Sequence, residues 1–254
     1  MKIVNTEISH VHQLRKLWQE AFSDTEGFIE QFFLTAFSKE RCRCAIVDDH
    51  IAAALYWFTC SYHERRVAYL YAVATDFAFR GRGICHRLME DTHIHLKKLG
   101  YDAVILVPGS ESLFHFYERM GYRLCSSIRE IHCAASDEEI MTERISKQEY
   151  ANKRRVFLPE NGIVQEQENL DFLGRVENLY AGEGFLLAGH REEETFIGVE
   201  LLGDLSAAPK ILKRLGCRNG TFRTIGEGKP FAMCYPLSET IDVSHVYFGI
   251  AFDL

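Results

Sequence analysis

A chain of 254 residues is long enough to bury a full core, as one large domain or two modest ones. Its 47% hydrophobic and 26% charged residues are the balance of a soluble globular protein, and no apolar run reaches the length of a membrane helix. A net charge of −7 opposes general nucleic-acid binding, which needs a basic face, and is compatible with a cationic ligand. Met1–Asn5 lacks the features of a signal peptide, so a cytoplasmic location is expected. The eight cysteines are scattered with no Cys-x-x-Cys pair, and Cys42 and Cys44 share one strand face without further ligands. Reduced, mostly buried thiols and no metal site are expected.

In chain order the first half reads β-α-α-β-β-β-α-β-α-β. Lys2–Asn5 is a short strand. Apolar spacing predicts helices over His10–Phe22 (Val11, Leu14, Leu17, Trp18) and Glu26–Phe37 (Phe28, Phe32, Phe33). Strands follow over Arg41–Asp48, Ile51–Tyr62 and Val67–Thr75. Gly83–Leu99 is a helix with a stripe of Ile84, Leu88, Met89, Leu96 and Leu99, and Lys97, Lys98 and Gly100 give its stop. Ala103–Val107 is a strand, Ser110 caps a helix ending at Gly121, and Tyr122–Ile131 closes the sheet.

The composition turns small and acidic at Ala134–Glu139, which places a boundary there: one domain over 1–134 and a second over 135–254. The second half reads helix (Ser146–Arg155), helix (Glu168–Tyr180), strands (Gly184–His190, Thr195–Leu202), helix (Ala207–Leu215) and strands near Gly220–Thr224, Phe231–Tyr235 and Val246–Phe252. Strand, strand, helix, strand echoes the first half.

Arg80-Gly81-Arg82-Gly83-Ile84-Cys85 stands between a strand and a helix N-terminus. The first amides of a helix have no partner within it, and the helix dipole adds positive potential there. Two glycines let backbone approach an anion closely, and two arginines add charge, although either arginine also fits an ordinary solvated surface. The stretch reads as a pyrophosphate site. It matches neither the ATP-type phosphate loop nor the dinucleotide fingerprint.

The stretch, with its Arg-x-x-Gly-x-Cys spacing, is close to the Arg/Gln-x-x-Gly-x-Gly/Ala signature of the GNAT superfamily of N-acetyltransferases. Pro108–Tyr122, with Phe116-Tyr117 before Gly121-Tyr122, resembles that superfamily's second signature, and the likeness covers residues 41–131. Cys85 departs from the small final residue, and Phe77 stands where many members have proline. The resemblance implies an α/β (α+β) GNAT fold, with a mixed central sheet flanked by helices and a second, smaller GNAT-like α/β half. That half would be degenerate and cofactor-free, because Leu202-Gly203-Asp204-Leu205 precedes its helix where the phosphate loop would stand.

The resemblance also implies acetyl transfer from acetyl-CoA to an amine by direct attack in a ternary complex. Arg80, Gly81, Arg82, Gly83, Ile84 and Cys85 would hold the pyrophosphate. Val73, Ala74 and Thr75 would pair with the pantetheine arm in a cleft beside Ala103–Val107, with an amide near Ala74 polarising the thioester carbonyl. Tyr117 would be the general acid; its other reading is a core aromatic beside Leu113, Phe114 and Met120. No base is evident. Asp76, Glu111, Glu64 and His115 are open to consideration, though each also reads as a surface group or a cap. The C-terminal carboxylate after Phe252-Asp253-Leu254 is a further possibility, although that apolar end reads first as a buried strand. His86, His93 and His95 lack metal-ligand spacing. The expected partner is a small-molecule or peptide amine, with no nucleic acid and no membrane. A non-catalytic acyl-CoA-binding or sensing module is the alternative reading, and an interaction protein that has lost the cofactor is a third.

Overall fold

The computed structural model describes residues 1–252. Helix α1 (Val11–Phe22) buries Leu14, Leu17 and Trp18 and stops where Ser23 turns left-handed, at φ 60°. Two residues later Thr25 caps α2 (Glu26–Thr35), its hydroxyl accepting from the Phe28 amide at 3.2 Å. Both helices pack on one face of a sheet that starts with β1 (Lys2–Asn5), β2 (Cys42–Val47), β3 (His50–Tyr62) and β4 (Arg65–Thr75), each antiparallel to the one before.

A 3-10 turn at Phe77–Phe79 leads to α3 (Ile84–Lys98), which returns the chain to β5 (Ala103–Leu106), parallel to β4. Helix α4 (Glu111–Glu118) and β6 (Arg123–Ala134) complete the first half. Helices α3 and α4 cover the opposite face from α1 and α2, where Leu88, Met89, Leu96, Tyr117 and Tyr122 share one buried cluster.

The second half contains β7 (Glu143–Arg144), α5 (Lys147–Phe157), β8 (Val164–Gln165), α6 (Glu168–Val176), β9 (Asn178–Gly182), β10 (Phe185–Glu192), β11 (Thr195–Gly203), α7 (Ala208–Leu215), β12 (Asn219–Ile225) and β13 (Lys229–Pro236). All strands join one sheet in the order β1-β2-β3-β4-β5-β13-β6-β12-β11-β10-β9-β7, with β8 on β3. The late strand β13 thus lies between β5 and β6 of the first half, antiparallel to both.

Strands β9-β10-β11-β12 repeat the order and directions of β2-β3-β4-β5, with α7 placed as α3 is. Asp76 caps the 3-10 turn before α3 through the Ala78 amide at 2.8 Å; Asp204 caps the turn before α7 through the Ser206 amide at 2.9 Å.

Two elements differ from the sequence reading. The helix expected over Glu168–Tyr180 ends at Val176, and 178–182 is strand β9, because Leu179 and Ala181 alternate into the core with a period of two. The segment 246–252 is buried but is not a strand. Isolated backbone contacts and side chains satisfy it instead: the Val246 and Tyr247 amides donate to the Cys125 and Asn161 carbonyls, with one parallel bridge between Tyr247 and Gly162, the Ser126 hydroxyl accepts from the Phe248 amide, and the Gln165 carboxamide both accepts from the Ile250 amide and donates to its carbonyl.

One buried ion pair fixes this arrangement. Arg154 on α5 grips Glu200 on β11 with two hydrogen bonds, Nε at 2.7 Å and Nη2 at 2.9 Å. Tyr150 and Tyr247 donate to the same carboxylate, so Tyr247 ties the C-terminal segment to the second half. The C-terminal carboxylate, a candidate group in the sequence, lies outside the described residues.

Candidate functional site

Strands β4 and β5 pair only from Val67–Tyr69 to Ala103–Ile105. Beyond this they splay, as the sequence predicts. The divergence is built into β4: opposite Leu55 of β3, between the pairs Ala54–Ala74 and Tyr56–Tyr71, it carries the two residues Ala72 and Val73. Ala72 takes φ +47°, a left-handed value costly for a non-glycine residue and typical of a bulge. The bulge bends β4 away from β5 and leaves its edge unpaired beside a cavity of about 390 Å³.

Both faces of the sheet contribute to this cavity. On the α3/α4 side stand Leu70, Val73, Leu106, Leu113 and Tyr117. On the α1/α2 side stand Trp18, Phe22, Asp24, Tyr69, Tyr71 and Phe252. The cleft is therefore a slot through the sheet, open to groups arriving from both layers. The Tyr71 hydroxyl donates to the Phe252 carbonyl at 2.9 Å, which fixes the C-terminal segment as one wall.

At the end of β4 the loop Arg80–Gly83 precedes α3. Gly81 and Gly83 take φ +73° and +71°, and a Cβ built on either would meet no atom within 4 Å. The glycines thus leave clear space in front of the first amides of α3, and this cradle fits the diphosphate of a CoA-type ligand. The Arg80 guanidinium donates from Nε to the Thr75 carbonyl at 3.1 Å and lies 5.5 Å over the Phe77 ring; Arg82 lies 5.3 Å over Phe79. Phe77, where many family members have proline, is 84% exposed and serves as the platform under Arg80.

Cys85 does not face the loop space. Its side chain turns inward against the α3-side core, and burial pushes its thiol up to about 11. The thiol stays protonated, and the departure from Gly/Ala leaves the cradle open.

Tyr117 is buried and lines the slot. Burial, with the neighbouring Cys85 adding to it, holds its phenol well above the ordinary tyrosine range. Its hydroxyl is therefore protonated throughout the neutral range.

The other sequence candidates lie elsewhere. Asp76 holds His50 at 2.7 Å and caps the 3-10 turn, and the hydrogen bond from His50 lowers its carboxyl below the usual range. Glu64 is in the β3–β4 turn, Glu111 is exposed at the start of α4, and His115 pairs with Glu118 on the helix surface. None of the four lines the slot. His93, set aside as a ligand, is a core group whose Nε2 meets the Tyr122 hydroxyl at 2.7 Å.

The carboxylate that does line the slot is Asp24, which sequence reasoning missed. It stands in the three-residue link between α1 and α2 and accepts the Trp18 indole N–H at 2.7 Å. No motif flags a single aspartate in a short loop; its role is legible only once α1 and α2 are seen at the mouth of the β4–β5 cleft.

A family model described as an acetyltransferase (GNAT) domain matches residues 2–125. This segment belongs to the GNAT acetyltransferase family. Its limits run from β1 to the start of β6, so the match takes in the glycine loop, α4 and the slot-lining residues other than Phe252. The GNAT fold extends past that segment. A protein from Enterococcus faecalis V583, described as a probable N-acyltransferase, superposes with TM-score 0.71 at 17% identity, covering 93% of this chain and 72% of its own. A GCN5-related N-acetyltransferase from Kribbella flavida gives 0.69 at 14%, with the same coverage. One from Anabaena variabilis gives 0.71 at 13%, covering 93% and 73%. At such identities the likeness is one of fold. No curated protein sequence matches the chain. Among the described residues no helix is long and apolar enough to cross a membrane.

Proposed function

We propose that this protein is an N-acetyltransferase that moves the acetyl group of acetyl-CoA to an amine by direct attack in a ternary complex. The observation that carries the reading is the slot through the sheet, with an open glycine cradle on its α3 side and a carboxylate among aromatic rings on its α1 side. Donor and acceptor then arrive from opposite faces, and no covalent enzyme intermediate is needed to bring them together.

In this reading Arg80, Gly81, Arg82, Gly83, Ile84 and Cys85 bind the diphosphate through backbone amides and the helix dipole. Val73, Ala74 and Thr75 form the edge along which the pantetheine arm lies. The Asp76 amide donates to the Ala52 carbonyl of β3. By alternation along the strand, Thr75 turns its amide to the other side, toward the cleft, and supplies the donor for the thioester oxygen. The amine first releases its ammonium proton to solvent; its neutral nitrogen then attacks the carbonyl carbon, the carbon–sulphur bond breaks, and a second proton of that nitrogen ends on the thiol. Tyr117 donates a hydrogen bond to the sulphur as its charge develops. Because burial raises the phenol above the thiol, Tyr117 stabilises the thiolate and relays a proton; it gives up none on balance.

We also propose that residues 135–254 form a second, degenerate GNAT-like half. The repeated strand order and the matching aspartate-capped turns support this, and the turn at Leu205–Ala207 runs straight into α7, with no counterpart to the Arg80–Gly83 loop.

Calorimetric titration with acetyl-CoA, with CoA and ATP as controls, tests the cradle, and thiol release over a panel of amines tests the chemistry. Selective binding of the CoA compounds followed by turnover is expected. Binding without turnover on any amine would favour the acyl-CoA-sensing alternative, and no binding by folded protein would overturn both.

A further inference from the structure

The α1-side half of the slot has a composition unlike the rest of the surface. Trp18, Phe22, Tyr71 and Phe252 present four aromatic rings, drawn from α1, β4 and the C-terminal segment. They are packed edge to face: Trp18 with Phe22 at 6.2 Å, Trp18 with Tyr71 at 5.4 Å, and Tyr71 with Phe252 at 5.7 Å. This mutual packing makes the wall rigid. Asp24 is the one acidic residue among the described residues that line the slot, and no lysine, arginine or histidine is with it.

Asp24 is also held in place. Ser23 ends α1 in a left-handed conformation and Thr25 caps α2, so Asp24 is fixed between two helix ends. The Trp18 indole takes one lobe of the carboxylate at 2.7 Å. An ionised carboxylate has about four acceptor positions, so most of its capacity remains for a ligand.

One negative charge in an aromatic enclosure selects for one positive charge on an apolar body. An ammonium gains a charge-assisted hydrogen bond from Asp24 and attraction to the ring faces. A zwitterionic amino acid would bring its own carboxylate into a space with no cation to meet it. A polyamine or amino sugar would bury further polar groups against a wall that is mostly apolar ring surface.

We infer that the acceptor is a primary amine with a single positive charge and a flat apolar body, an arylalkylamine in chemical class, bound by Asp24 and the rings of Trp18, Phe22, Tyr71 and Phe252. The inference rests on reading the slot as a transferase site, and the test separates the two.

Phenethylamine, L-phenylalanine and spermidine serve as probes with the full chain. The first two share a ring and a spacer and differ by one carboxylate. Thiol release from acetyl-CoA gives turnover, and calorimetry on protein saturated with CoA gives amine binding. Phenethylamine is expected to exceed both other probes in kcat/KM by about tenfold or more, the scale of one unpaired buried charge. Asp24→Asn keeps an oxygen for the Trp18 indole and removes only the charge. It is expected to raise KM for phenethylamine by about ten- to a hundredfold, the range for losing a charged hydrogen bond, with kcat and acetyl-CoA affinity changed little. Preference for L-phenylalanine or spermidine, or an unchanged KM in Asp24→Asn, overturns the inference while the transferase reading stands. Phenethylamine binding that depends on Asp24, with no thiol released by any amine, overturns the transferase reading and leaves the amine site. No phenethylamine binding overturns the inference whatever else is acetylated.

Discussion

Gly83 offers a test in which protein stability and ligand affinity move in opposite directions. It is the residue before α3, at φ +71°, with open space where a side chain would project. Any L-residue there takes on left-handed strain of about 1–2 kcal/mol, with Asn and Asp tolerating it best. Gly83→Asn and Gly83→Asp therefore share shape and strain and differ in one charge. That charge lies at the positive end of the helix dipole, so Asp should make the folded protein more stable than Asn by about 0.3–1 kcal/mol. Against a bound phosphate the same charge is repulsive. Two unit charges about 5 Å apart at an effective dielectric of about 20 repel by about 3 kcal/mol, which is a hundredfold or more in affinity. The expected outcome is that Gly83→Asp unfolds at higher denaturant than Gly83→Asn yet binds acetyl-CoA at least about a hundredfold more weakly. Calorimetry and urea titration measure the two quantities on the same preparations. Equal affinities for the two variants would show that no phosphate sits at the α3 N-terminus, and the reading of the glycine loop would fall.

Three other outcomes follow from the geometry. Tyr117→Phe should lower kcat by about a hundredfold, the usual scale for a positioned proton donor, with acetyl-CoA affinity preserved; full turnover in that variant removes Tyr117 from the mechanism. Burial, with His86 adding to it, holds His93 down to about 4, below the ordinary histidine value. The unfolded chain thus binds this proton first, and stability present above about pH 6.5 should fall by about 3 kcal/mol as pH drops to about 4. His93→Gln should flatten that part of the profile relative to the parent in urea titrations at several pH values; matching slopes would refute a neutral, buried His93. Glu200→Gln leaves Arg154 charged and buried without its counter-ion and should cost about 3–5 kcal/mol. A single-variant loss under about 1 kcal/mol in urea titrations would mean that solvent already reaches the pair.

How far the sequence discloses the site depends on whether its chemistry is local. The glycine loop was legible because backbone conformation is set by neighbouring residues: two glycines, a following apolar stripe and a preceding apolar run suffice. The splay of β4 from β5 was expected from the family resemblance, but its cause, the two-for-one bulge at Ala72 and Val73, leaves no mark in a run of small apolar residues. Asp24 was not legible, because what makes it notable is the company of β4 and Phe252, 45 or more residues away in the chain for every ring but Trp18 and Phe22. The apolar run 246–252 reads as a buried strand. It is buried, but its strand-like pairing is confined to one bridge at Tyr247, and beyond it Ser126 and Gln165 supply the hydrogen bonds that a neighbouring strand would have given.

The same long-range contacts give the second half a part in the slot. Strand β13 holds the far edge of β5, so β5 can stand apart from β4 without exposing both its edges. The Arg154–Glu200 pair anchors Tyr247, Gln165 grips Ile250, and Phe252 then closes on Tyr71. The Arg154–Glu200–Tyr247 and Gln165–Ile250 links are buried and the Tyr71–Phe252 link is half-buried, and loosening one should free the ring wall around Asp24 before it disturbs the glycine cradle on the other face. A half without a phosphate loop of its own can therefore shape what the first half accepts. In the proposed reading the donor side depends on residues that the family signature encodes, whereas the acceptor side depends on a clamp built from Gln165, Glu200 and Tyr247.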